Sequence, residues 1–155
     1  MCLACCDPVD PLSLLRGLFA GLVATGPMLI VEIPLWRRFG LRGVFEWHEI
    51  HESLARRTGR QVESLGTLDI ALHFAAGGLA GVLFALAVSV GILTVPLPLQ
   101  GLVLGLMMWL LTLLIHGSIT GVRPFRNDMG LGPATGSLVG HLVFGSVLGF
   151  LVGLP

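Results

Sequence analysis

The sequence predicts an all-α membrane protein: a transmembrane four-helix up-down bundle of two duplicated hairpins, with a short interfacial helix in the first cytoplasmic connector. Three observations predict it. Of 155 residues, 54% are hydrophobic and only 12% are charged, whereas soluble domains carry about 25% charge. Four apolar stretches, residues 12–34, 69–93, 97–120 and 136–154, each approach or exceed the roughly 20 residues a helix needs to cross a bilayer. The connectors between them are short enough to join antiparallel neighbours. A strand barrel would need alternating segments of about ten residues, and the chain has none. Residues 1–155 therefore make a single membrane domain.

The elements follow in order. Cys2, Cys5 and Cys6 crowd the head; their CxxC spacing could hold a metal or cross-link, but the usual fourth ligand is missing nearby. The head lacks the basic and apolar regions of a signal peptide, so the first span is expected to direct insertion itself. Pro27 predicts a kink in that span, a little over one turn before Glu32. The first connector contains a helix over about 44–57. Val44, Trp47, Ile50 or His51, and Leu54 form its apolar stripe, while Glu46, Glu49, Glu52, Arg56 and Arg57 supply charge. Trp near its start suits a helix lying in the interface. Asp69 or Thr67 is placed to cap the second span. Thr94–Pro98 is a tight turn, and Gly121–Thr135, rich in Gly and Pro, reads as a loop.

Charge orients the bundle. All nine basic residues are Arg, and eight fall in the first and third connectors; Arg16 stands apart. The positive-inside rule puts those connectors in the cytoplasm and both termini outside, as for a multi-pass protein of a prokaryotic inner (plasma) membrane. Lipid is the implied partner, and no patch suits nucleic acid.

Glu32, His73, His116 and His141 each lie near the same end of a different span. Such residues are costly in a membrane and usually mark a site. Laying the third span on the first puts Gly17 on Gly101, Gly21 on Gly105 and Glu32 on His116. Laying the fourth on the second puts His73 on His141, Gly77 on Gly145 and Gly81 on Gly149. Polar and small residues thus stay in register, as in a duplicated hairpin. Gly21 to Glu32 and Gly105 to His116 are eleven steps, within about 20° of whole turns. Each ionisable group therefore shares its helix's glycine face, and such faces pack inward. The four are expected to converge.

Three imidazoles and a carboxylate make a complete shell for a transition metal ion, with zinc, iron, manganese and copper not distinguished. His48, His51 and Glu49 on the interfacial helix are further candidates. The Glu-x-x-His pair of di-iron bundles is absent. Plain packing is the competing reading, since an intramembrane His can simply hydrogen-bond a neighbouring helix. It makes the chain a non-catalytic accessory subunit that joins a larger membrane complex, or its own copies, through the glycine faces. Transport is less favoured, since the outer half offers few polar groups.

In layout the chain also resembles the haem-binding bundle of b-type cytochromes, with ligands on the second and fourth helices and glycines on the first and third. That resemblance implies a single haem b with His73 and His141 as axial ligands. Gly17-Leu18-Phe19-Ala20-Gly21, Leu72-His73-Phe74-Ala75-Ala76-Gly77 and Gly140-His141-Leu142-Val143-Phe144-Gly145 together resemble a family of small prokaryotic membrane proteins with four predicted helices, a domain of unknown function. It implies the bundle and lends no activity. No nucleophile–base pair or phosphate-cradling loop is visible, so the sequence leans against a standalone enzyme.

The thiols of Cys2, Cys5 and Cys6 are the only ones in the chain. A membrane-impermeant maleimide added to intact, reductant-treated cells should label them. Labelling that waits for lysis would reverse the topology.

Overall fold

The computed structural model describes residues 10–39, 45–59, 66–92, 94–121 and 130–154. Five helices form: α1 (Pro11–Arg38), α2 (Phe45–Arg57), α3 (Gly66–Ser89), α4 (Leu97–Thr120) and α5 (Gly132–Val152). There is no strand among the described residues. The helices α1, α3, α4 and α5 are each long and apolar enough to cross a membrane, and α2 falls at the residues expected to form the short connector helix. Cys2, Cys5, Cys6 and Val44 lie outside the described residues.

Local chemistry sets the boundaries. Asp10 accepts a 3.1 Å hydrogen bond from the Leu12 N–H, and Pro11 takes a first-turn position where no N–H is needed. The helix continues through Pro27 and Pro34 to Arg38, a full turn beyond the apolar span. That last turn carries Trp36, which is fully buried. It also carries Arg37 and Arg38, whose charge complements the helix C-terminus. Pro96 and Pro98 open α4, and Gly121, at φ 75°, closes it in the left-handed conformation that glycine adopts without strain.

The packing order is α3–α1–α5–α4. Helix α1 lies along both α3 and α5, and α4 lies along α5, while α3 and α4 barely touch. The ring is therefore open on one side. Helix α2 spans that gap at one end and contacts both α3 and α4.

Glycine faces close each hairpin. A Cβ at Gly17 would meet the Gly81 carbonyl, and one at Gly21 the Gly77 carbonyl. In the second hairpin, a Cβ at Gly101 would meet the Gly145 carbonyl, and one at Gly105 the His141 carbonyl. Backbones this close collect dispersion energy, which is what joins helices in lipid. The glycine faces are thus used up inside the chain.

These contacts put the two hairpins in a different register from the sequence alignment. Gly81 corresponds to Gly145 and Gly77 to His141, so the partner of His73 is Ser137, one turn earlier. Small residues recur along α5 at Gly136, Gly140, Gly145 and Gly149. A stripe with near-turn spacing aligns with itself after a shift of one turn, and only the contacts choose.

Ala20, Ala24, Met28, Ala80, Phe84, Phe144 and Leu148 form the main core, and Leu29 with Trp36 a second one toward α2. Outside, Phe19, Ile30, Leu79, Met107, Leu114 and Phe150 are more than half exposed. Hydrocarbon is the solvent for such a surface.

Gly101→Ala should lower the thermal midpoint in detergent, since its methyl enters backbone and overpacking costs about 1–3 kcal/mol. Gly26, with nothing within 4 Å of its Cβ position, should accept Ala without loss. Equal tolerance at both sites would show that the backbones stand further apart.

Candidate functional site

Glu32 is the centre. It sits on α1 with no exposed surface, where α1 meets α5, and Gly140 makes the room. A Cβ on Gly140 would fall on the Glu32 side chain, its carboxylate included. His73 of α3 brings Nε2 to 3.9 Å from Glu32 Oε2, and His141 of α5 brings Nδ1 to 3.7 Å from Oε1. Both imidazoles are themselves buried. A carboxylate so placed is costly to desolvate, and the two imidazoles are polar neighbours within 4 Å of it.

The hydrogen bonds of His141 fix its proton. Nδ1 lies 2.8 Å from the Ser137 carbonyl, which can only accept, so Nδ1 carries the hydrogen. In the neutral ring Nε2 is then an acceptor, and the Thr112 hydroxyl, 3.4 Å away on α4, donates to it. The Ser137 hydroxyl lies 3.4 Å from Nδ1.

His116 does not join this centre. Its Nε2 is 2.9 Å from Glu49 Oε2 on α2. The reason is the packing order: α4 is held to α5 by its glycines, and α2 lies across the α3–α4 gap where His116 emerges. The same helix is pinned to α3. His51 Nδ1 is 2.6 Å from Asp69 Oδ1, and His48 Nδ1 is 3.4 Å from Asp69 Oδ2. His48 Nε2 also stands 3.3 Å from Glu52 Oε1. Ser53 and Arg57 donate to the Ile119 carbonyl at 3.1 and 2.6 Å, satisfying an acceptor in the last turn of α4. Every histidine of the chain therefore stands within 4 Å of a carboxylate.

Of the expected ligands, Glu32, His73 and His141 come together. His116 and Glu49 pair elsewhere, and His48 and His51 join Asp69. The four-residue shell is not assembled. Among the described residues, no group of three or more His, Cys, Asp or Glu has the geometry to hold a metal ion. The haem plan needs a porphyrin-wide slot between His73 and His141, and the Glu32 carboxylate stands between them.

Sequence reasoning missed three participants. Asp69 was expected to cap a helix, yet its side chain is fully buried and anchors α2. A charged residue four positions before His73 was the available signal. Thr112 and Ser137 carried no signal beyond being polar within an apolar helix. The expected stripe on α2 is also shifted: Leu54 is exposed and Ser53 buried, because Ser53 reaches the end of α4.

Beside the centre lies a cavity of about 190 Å³. Met28, Trp47, Ile50, Met108 and Phe144 give it apolar walls, and Thr25, His73, Thr112 and His141 its polar points. The Thr25 hydroxyl is already spent on the Gly21 carbonyl at 2.8 Å. The chain matches no protein-family model, no curated protein and no solved structure.

A double-mutant cycle with Glu49→Gln and His116→Ala should give a coupling energy of about 1 kcal/mol in unfolding. Additive effects would mean that α2 is not held through this pair.

Proposed function

We propose that this chain is a multi-pass membrane protein that binds a small, uncharged, lipid-soluble ligand in the cavity between its helices. Helix α2 and the Arg-rich connectors face the cytoplasm, and the protein acts as a binding protein without chemistry of its own. The observation that carries this reading is the cavity itself: apolar over most of its wall, with His73, Thr112 and His141 converging on it. Ligand sites have this composition, a mostly apolar wall with a few placed polar groups.

The sequence favoured a metal ion, and one observation still supports it. The 3.7 and 3.9 Å separations around Glu32 approach the ~3.4 Å expected between donors about 2.1 Å from one zinc ion. A cation there must draw His141 Nδ1 away from the Ser137 carbonyl, and His116 is held by Glu49. The cavity ligand requires neither change. Thr112, His141 and Glu32 also have the order of a nucleophile–base–acid relay. However, the His141 Nδ1 hydrogen is given to Ser137, and the backbone N–H groups around the hydroxyl are spent within helices.

Phenol, a tail-free ring with one hydroxyl, should raise the thermal midpoint of the purified protein saturably; ligand at ten times its Kd stabilises by about 1.4 kcal/mol. Ala76→Phe, which fills the cavity from α3, should abolish the shift. A shift that persists in the filled variant would place binding elsewhere. Stoichiometric metal in dialysed protein, lost in Glu32→Gln, would instead favour the cation.

A further inference from the structure

Resting on that reading, we infer that the ligand is a para-quinone or its quinol, with its ring in the cavity and its hydrocarbon tail leaving between α3 and α4. Size comes first. A cavity of 150 Å³ holds benzene, and drug-sized ligands take about 300 Å³ or more. The 190 Å³ here suits one six-membered ring with small substituents.

Polar placement comes second. His73 on α3 and His141 on α5 reach the cavity from helices across the ring of four, with Glu32 of α1 between them. A ring with oxygens at opposite ends presents one to each side, whereas a simple phenol would use only one. Thr112 and His141 are suited to both redox forms. A quinone carbonyl accepts from the Thr112 hydroxyl, and a quinol hydroxyl donates to His141 Nε2, which the Ser137 carbonyl keeps as an acceptor.

The exit comes third. Helices α3 and α4 barely touch, and Ile115 both lines the cavity and is 45% exposed. The cavity therefore reaches the lipid-facing surface along α4, where Leu111 and Leu114 are also exposed. An apolar tail leaving on this path stays in hydrocarbon.

The test titrates the purified full-length protein in detergent with decyl-para-benzoquinone and, separately, with decylbenzene, which has the ring and tail without the oxygens. The quinone should bind about fivefold to tenfold more tightly, since one hydrogen bond is worth about 1.0–1.4 kcal/mol. Thr112→Val, close to isosteric, should erase most of that preference, and Thr112→Ser should keep it. Any variant is first checked for an unchanged helical spectrum; if Thr112→Val fails to fold, Thr112→Ala replaces it. Equal affinity for the two compounds would leave the cavity reading standing and overturn the quinone. Binding of neither would overturn both. A preference unchanged in the Thr112 variants would put the quinone outside this cavity, which also overturns the inference.

Discussion

The contact on which the rest depends is backbone against backbone at the glycine faces. Lipid offers helices no hydrophobic reason to associate, so packing must come from close approach. Gly17 and Gly21 lay α1 on α3, and Gly101 and Gly105 lay α4 on α5. Two tight hairpins result, and they meet chiefly along α1 and α5. Each hairpin spends these glycines on its own partner, so they do not draw α3 and α4 together. The open side of the ring and the cavity behind it follow from that distribution of glycines.

The α1–α5 seam is built differently, and the difference places the polar centre. At Gly140 the space is filled by the Glu32 side chain, not by a facing backbone. A carboxylate here forfeits its hydration, and removing a single partner of such a group is costly. His73 and His141 stand beside it from two other helices, so the centre brings α1, α3 and α5 together while glycines set their distances. The same residues that make the site thus fix the geometry of the seam.

Much of this was legible in the sequence, for physical reasons that also explain the failures. Hydrocarbon thickness imposes a span length, so four helices of spanning length and a short connector helix could be read from apolar runs and the charge pattern between them. That Glu32, His73 and His141 meet followed from their sharing faces with glycines. His116 shares such a face too, yet pairs with Glu49, because a face constrains direction and not which neighbour arrives first. The register of the second hairpin was lost to a glycine stripe that matches itself one turn away. Asp69 stood out only as a charge near His73, not as an anchor, because its partners, His48 and His51, are brought to it by a connector whose path no periodicity encodes. Ser53 replaced Leu54 on the buried side of α2 for the same reason: the end of α4 supplies an acceptor at Ile119 that sequence pattern cannot announce.

Helix α2 gives the site its asymmetry. It is joined to α3 through Asp69 and to α4 through Glu49 and Ile119, so it bridges the two helices that do not pack on each other. Trp47 and Ile50 line the cavity from the same helix. The polar attachments lie at the bundle end, and the unpacked side between α3 and α4 is apolar. A ligand entering past α2 would have to break carboxylate–imidazole pairs, whereas one moving sideways from the bilayer meets exposed apolar side chains such as Ile115. On the proposed reading the cheaper path is therefore lateral, and it would select for molecules already dissolved in the membrane.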